Sequence, residues 1–154
     1  MSTINPNDGS IEIALPRMTI TRDWTRDQFF RSPLFSMSHP RGQETQSWSS
    51  YGFKRVTIGG EDFGGSVIFR GERLSTVYFF VIRSDFGAGW STERQQAMMK
   101  LHDALLEADF GALGLDVECD RPDCSRRHCF PWGSVSSIYE GRSGDSLIEI
   151  EYAK

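Results

Sequence analysis

Three cysteines and one histidine lie within one short segment and carry the strongest potential for chemistry. Cys119, Cys124, His128 and Cys129 follow the spacing C-x4-C-x3-H-C. Thiolates and imidazoles suit zinc, so these four groups are candidate ligands of a tetrahedral site. All four ligands would have to come from one tightly wrapped stretch, however, and His128 and Cys129 would point apart in an extended chain. A zinc site is therefore one hypothesis among several, and we predict no cofactor.

The same segment allows other thiol chemistry. In an oxidising compartment, a Cys119–Cys129 disulfide would close the loop and leave Cys124 over. In a reducing compartment, all three thiols would stay free, with Cys119 and Cys129 half buried at strand ends. Cys124 is also a candidate nucleophile, because positive neighbours lower a thiol pKa. Those neighbours are Arg121, Arg126, Arg127 and His128.

The remaining catalytic motifs are weak. Asp85-Phe86-Gly87 matches a kinase metal-binding tripeptide, but no glycine-rich loop or catalytic-loop motif accompanies it. The glycine pairs at 59–60 and 64–65 lack the Gly-Lys-Ser/Thr of a phosphate loop. His102 lies beside the apolar face of a predicted helix, where a packed, hydrogen-bonded histidine is expected. We therefore predict no catalytic residue, and a protein that is more consistent with binding than with catalysis.

Length and composition limit what this chain can be. At 154 residues it fits one domain over residues 1–154, and we expect residues 1–10 to be a disordered terminus. No apolar run approaches the length of a membrane span, and the first residues show no signal-peptide pattern. The net charge of −4 argues against a nucleic-acid partner. These features predict a cytoplasmic protein.

The hydrophobic pattern predicts an α+β fold, with a mostly antiparallel sheet of about six strands, one short N-terminal helix and one long helix packed on the sheet. Thr25 is a candidate cap for the short helix, which Pro33 should stop, and Ser91 caps the long helix over 91–110. Residues 36–50 are polar and are expected to form a loop. The predicted strands begin at Ile11 and cover 53–58, 66–69, 74–82, 115–119, 132–139 and 146–152.

Charge and aromatic residues suggest where a partner would bind. Residues 111–154 hold five basic and eight acidic residues, a balance of −3. Glu149 and Glu151 alternate with apolar residues, so they should line the solvent face of the last strand. Trp48 is the best candidate for an exposed aromatic contact, whereas Trp24, Trp90 and Trp132 are expected in the core. The candidate partner-binding residues are Trp48, Asp120, Arg121, Asp123, Arg126, Arg127, Glu149 and Glu151.

The C-terminal third resembles a group of small uncharacterised bacterial proteins. The resemblance rests on the Trp-Gly strand at 130–139, the Gly/Ser hairpin at 141–144 and the final I-x-I-x-Y strand at 148–152. The stretch from Met18 to Phe30 also resembles their start, whereas the cysteine-rich loop at 119–129 departs from the pattern. Such proteins resemble immunity proteins of bacterial toxin systems, which implies a small, acidic, cytoplasmic protein that binds a toxin domain.

These observations leave more than one function open. The first expectation is a non-enzymatic, immunity-type binding protein that neutralises a toxin or enzyme partner through an acidic surface. The second is a small-ligand-binding or enzymatic domain with a pocket between helix 91–110 and the sheet. The third is a zinc- or thiol-dependent regulator that uses loop 119–129. The sequence predicts neither the partner's identity nor the oligomeric state.

Overall fold

A computed structural model describes residues 4–42, 45, 47–87, 89–111, 114–115, 126–140 and 144–153. Within these residues the fold is α+β, as the sequence predicts. The strands are β1 (Ile11–Ile13), β2 (Met18–Ile20), β3 (Ser38–Pro40), β4 (Trp48–Ile58), β5 (Glu61–Arg70), β6 (Arg73–Val81), β7 (Gly114–Leu115), β8 (Arg126–Phe130), β9 (Gly133–Glu140) and β10 (Asp145–Tyr152). The helices are α1 (Arg26–Phe30), α2 (Pro33–Ser36) and α3 (Thr92–Phe110), with a single 3-10 turn at Ser84–Phe86.

One antiparallel sheet dominates the molecule. Its eight described strands follow the order β3-β4-β5-β6-β10-β9-β8-β7, and β1 and β2 form a separate two-stranded sheet. The register aligns one buried row across five strands, so these residues share a face. The row is Tyr51, Val67, Val77, Ile150 and Val135, all buried.

The described helices pack on this same face, which we call the covered face. Phe29 of α1 contacts Tyr51 and Phe69, with ring centroids 5.0 and 5.4 Å apart. At the other end of the sheet, Phe110 of α3 packs on Phe130 at 5.4 Å. The N-terminal segment and α3 thus divide the covered face between them. No helix in the described part of the chain is long and apolar enough to cross a membrane.

Strands β6 and β10 separate at one end of the sheet, and α3 fills the gap. Their pairing runs from Thr76–Glu151 to Phe79–Ile148. Beyond that point, Val81 N–H donates to His102 Nε2 at 3.0 Å, and Ser146 N–H donates to Gln95 Oε1 at 2.8 Å. Two side chains of α3 therefore replace ladder partners for two backbone donors, which positions the start of the helix at this end of the sheet.

Residues 4–10 differ from the expected disordered terminus, while residues 1–3 lie outside the described part. Ile4 is buried, and the Trp132 indole Nε1 donates to the Pro6 carbonyl at 2.8 Å. Gly9 has φ +73° and lies against the Trp132 ring, where a Cβ atom would overlap it. The turn at residues 4–10 is ordered because the buried Ile4 side chain anchors its start and the Trp132 ring packs against its end at Gly9.

Other sequence predictions need correction in detail. Residues 36–50 are not all loop, because β3 forms there and β4 begins at Trp48. Helix α1 ends at Phe30, before Pro33 as expected, but Pro33 also starts α2 at its first position, where its missing N–H costs nothing. Alternation predicts Leu74 on the same face as Tyr78, but Leu74 shares the covered face with Val77, since the β5–β6 register shifts between Ile68 and Phe69.

Candidate functional site

The second face of the large sheet forms the candidate site. Successive side chains of a strand point to opposite faces, so the residue next to each member of the buried row lies on this second face. Four such residues are aligned by the register: Ser66, Tyr78, Glu149 and Ser136. The described helices pack on the covered face, so we call this second surface the open face. Its apolar floor consists of half-buried side chains: Ile68, Tyr78, Phe80, Ile138 and Leu147.

Two tryptophans lie at the two ends of the open face. Trp48, at the start of β4, is 47% exposed, and the Arg70 guanidinium lies 5.5 Å from its ring centroid. Trp90, just before α3, is 58% exposed and rests on Gly144, whose φ is +69°. Trp48 is therefore exposed, as the sequence predicts, and its contact with a partner stays a prediction. The prediction that Trp90 is a core residue is wrong, because it precedes the helix cap and covers a glycine turn.

Glycines allow large side chains to lie flat on this face. The Phe80 ring lies over Gly64, and the His39 ring and the Arg41 side chain lie over Gly52. A Cβ atom at Gly52 would come within 2.8 Å of Arg41 Cδ, so the absence of a side chain creates the space. The sequence predicts that Gly64 belongs to a turn or a bulge, but in the structure it makes room for the ring of Phe80 from a neighbouring strand.

A cavity of about 880 Å³ lies where the first turns of α3 meet the open face. The expectation of a small-ligand-binding or enzymatic domain places its pocket here, between helix 91–110 and the sheet. Apolar and aromatic side chains from β5, β6 and β10 line it, together with Arg41, Arg94, Gln95 and Trp90. A second cavity of about 930 Å³ lies at the opposite end of the sheet, where Trp48, Arg70, Arg73 and Glu151 contribute to the lining.

Four of the predicted partner-binding residues lie on the open face, spread across its strands. Glu149 and Glu151 point to the open face of β10, as their alternation with buried Ile148 and Ile150 predicts. Arg127 shares that face through its register position opposite Ser136, whose Oγ accepts from Arg127 Nε at 3.2 Å. Trp48 completes the set.

Arg126 lies on the covered face instead. Its Nη1 donates to Glu107 Oε1 at 3.1 Å and lies 3.8 Å from Asp103 Oδ2, so this arginine ties β8 to α3. The remaining predicted partner residues, Asp120, Arg121 and Asp123, lie outside the described residues.

Two of the four candidate zinc ligands lie within the described residues. Strand β8 directs His128 to the covered face, where its ring lies 4.7 Å from Phe130 and 6.0 Å from Phe110. Cys129 has an exposed free thiol and alternates to the other face. These two side chains therefore cannot ligate one ion while β8 is formed. Cys119 and Cys124 lie outside the described residues, and the described ones contain no cluster of three or more potential metal ligands.

His102 is a structural residue of this end of the molecule. It is fully buried, and burial lowers its pKa from the ordinary 6.5 to about 3, so the ring is neutral. Because Val81 N–H donates to Nε2, the proton lies on Nδ1, which donates to Ser146 Oγ at 3.0 Å. The expectation of a packed, hydrogen-bonded histidine is confirmed.

Sequence reasoning missed several cavity residues. Arg41 lies in the segment 36–50 that the sequence predicts to be a loop, and no sequence pattern singles out Arg94 or Gln95. The available signal was β6, which is apolar at both parities and implies a second, half-covered face. Comparisons with protein-family models, curated proteins and solved structures found no match. The resemblance to immunity-type proteins therefore stays a prediction, and function must be inferred from the chain's own surface.

Proposed function

We propose that this is a non-enzymatic, cytoplasmic binding protein of the immunity type, which neutralises a toxin or enzyme partner by docking its open face onto that partner. The supporting observation is the open face itself, an apolar floor with an exposed tryptophan at each end. Protein interfaces combine such an apolar centre and aromatic anchors with a polar rim. Isolated exposed side chains are ordinary, but a continuous apolar face is typical of a contact site.

Charge favours a basic partner over one half of the face. Asp145, Glu149 and Glu151 occupy odd-numbered positions of β10, so all three carboxylates lie on the open face. Glu151 is exposed, and its cross-strand neighbours Thr76 and Ser134 are uncharged. A positively charged loop of a partner would meet this row, and such complementarity raises the rate and specificity of association.

The direct test is co-expression with the product of a neighbouring gene, followed by affinity measurement on the purified pair. We expect W48A and W90A each to weaken binding by about tenfold or more, since interface tryptophans are frequent hot spots. E151K should also weaken binding, and the loss should shrink at high salt because screening removes charge attraction. F35A is the matched control, since Phe35 is an aromatic residue of similar partial exposure (39%) that packs on Phe29.

Two results would overturn this proposal. One is a native partner that binds the W48A/W90A double variant as tightly as the wild type. The other is the failure to recover any protein partner from the native host. If a partner is recovered but only F35A weakens its binding, the interface lies on the helical side and the open face is not the docking surface.

A second candidate function is the binding of a small molecule in the cavity of about 880 Å³ beside α3. Small-molecule sites are concave and largely apolar, and a few polar groups orient the ligand. This cavity has that composition, and its volume lies in the usual range for such sites. Thermal-shift screening with metabolites would support this candidate if one chemical class raised the melting temperature.

A further inference from the structure

The cavity beside α3 contains two arginines without ion pairs among the described residues. Arg41 and Arg94 both line it, whereas the ion pairs among the described residues involve other arginines. Arg94 Nη1 donates to the Gly89 carbonyl at 3.0 Å, but its buried Nε has no hydrogen-bond partner. A buried guanidinium nitrogen without an acceptor is costly, so this arrangement favours an acceptor arriving from outside.

The cavity also contains two carboxylates. Asp145 and Glu149 line the same space, and each takes part in an interaction of its own. Neither Arg41 nor Arg94 forms an ion pair with them among the described residues. Arg94 also lies in the first turn of α3, where the helix dipole adds positive potential.

Two buried neutral groups point to the same conclusion. Ser66 and Gln95 line the cavity, and each residue is only 5% exposed. Gln95 uses its Oε1 to accept from Ser146 N–H, so its amide NH2 group is left to donate. The Ser66 hydroxyl forms no hydrogen bond within the described chain and lies on the cavity side of β5. Both groups can therefore donate to a ligand in the cavity.

The walls determine what else the ligand must contain. Phe80 and Ile68 lie on the sheet side, and Trp90 stands at the mouth. Aromatic and branched aliphatic surfaces favour a flat apolar body, while guanidinium groups bind carboxylates through paired, charge-assisted hydrogen bonds.

We infer that the cavity beside α3 binds a small organic carboxylate with a flat apolar body. Arg41 and Arg94 hold the carboxylate, Ser66 and Gln95 donate further hydrogen bonds, and Phe80 and Trp90 contact the body. This inference gives a ligand class to the second candidate function and does not depend on the protein-docking proposal.

The test compares an acid with its uncharged amide. Binding of 2-naphthoate and 2-naphthamide to the full chain is measured by titration calorimetry. We expect the acid to bind about tenfold or more tightly than the amide, because charge-assisted bonds to arginine are lost in the amide. R41Q and R94Q should each reduce the affinity for the acid toward that for the amide. R70Q is the matched control, an arginine on the same sheet face that lines the other cavity.

The inference is overturned if acid and amide bind equally, if 2-naphthoate shows no binding at millimolar concentration, or if R70Q weakens binding as much as R41Q. R94Q could disturb the start of α3, because Arg94 bonds to Gly89. Arg41 is exposed, so R41Q should fold normally, and unchanged melting temperatures would show this. The assay contains no partner protein, so its failure leaves the docking proposal standing, and failure of docking leaves this one standing.

Discussion

His102 joins α3 to two strands through both nitrogens of one ring. The neutral ring accepts from Val81 and donates to Ser146, at 3.0 Å in each case. A protonated ring would have no acceptor for Val81 N–H and would carry a charge in a fully buried site. This geometry makes the stability of the fold depend on pH in a definite direction.

We predict that acid destabilises the protein through His102. The folded-state pKa of about 3 lies below the ordinary 6.5, so protons bind preferentially to the unfolded chain. The stabilisation is complete above pH 6.5 and is lost as the pH falls toward 3. By about pH 5 the loss should reach about 2 kcal/mol, measured by urea unfolding at several pH values.

H102Q is the control for this pH dependence. The glutamine amide can still accept from Val81 but does not titrate. We expect H102Q to be less stable at neutral pH and to show a flatter dependence between pH 6.5 and about 5, where carboxylates change little. Equal pH dependences for the two proteins would show that another group controls acid unfolding.

Tyr152 binds the N-terminal turn through a hydrogen bond. Its hydroxyl donates to the Gly9 carbonyl at 2.9 Å. Burial, and to a smaller extent the negative charge of Asp8, raises the pKa of Tyr152, so the hydroxyl stays a donor at neutral pH. We predict that Y152F lowers the free energy of unfolding by about 1–2 kcal/mol, because it leaves a carbonyl unpaired.

Y139F is the matched control for Y152F. Tyr139 is a buried tyrosine of the same sheet for which the described residues provide no hydrogen-bond partner, so its loss should cost less. Both values come from denaturant unfolding. If the two variants are equally destabilised, the hydrogen bond to Gly9 adds nothing beyond general packing.

At the scale of the element, features that depend on nearby residues could be predicted from the sequence, and features that depend on tertiary packing could not. Thr25 and Ser91 cap α1 and α3, as the sequence predicts, and Gly111 is the C-cap of α3. These features depend on residues within a few positions of each other. Gly71 likewise turns the β5–β6 hairpin with φ +61°.

Features that depend on distant residues could not be predicted. The start of β4 was hidden because its serines and Gly52 give no hydrophobic alternation, although Tyr51 and Phe53 are buried under the N-terminal segment. The bulge at Ser75 reverses the face of Leu74, and no local pattern marks it. The cavity shows this most clearly. Arg41 and Arg94 lie far apart in the sequence, and only the folded chain places them in the lining of the same cavity.

The Ser91 cap gives a prediction at this scale. Its Oγ accepts from Arg94 N–H at 3.0 Å and satisfies a free donor at the start of α3. S91A should lower the free energy of unfolding by about 1 kcal/mol. T92A, at the exposed first position of the helix, should have a smaller effect. Hydrogen exchange should locate the S91A loss in the first turn, and protection unchanged there would contradict the prediction.

At the scale of the whole molecule, the sheet has two unlike faces. The N-terminal segment and α3 bury one face, and aromatic residues give it a continuous core. The open face has the same β-strands but is only half buried in the described chain. Substitutions on the covered face should therefore change the free energy of unfolding, and substitutions on the open face should change association with a partner.

Val67 and Ile68 are adjacent in β5 and distinguish the two faces. Val67 is fully buried on the covered face, and Ile68 is half buried on the open face. V67A should lower the free energy of unfolding by about 2 kcal/mol, and I68A by less than about 1 kcal/mol, although it removes the larger side chain. Denaturant unfolding of each variant at low and high protein concentration gives both values and tests for self-association. If a second copy covers the open face, stability will rise with concentration and I68A will abolish the rise. A stability that does not change with concentration, together with a small cost for I68A, leaves the face free for another partner.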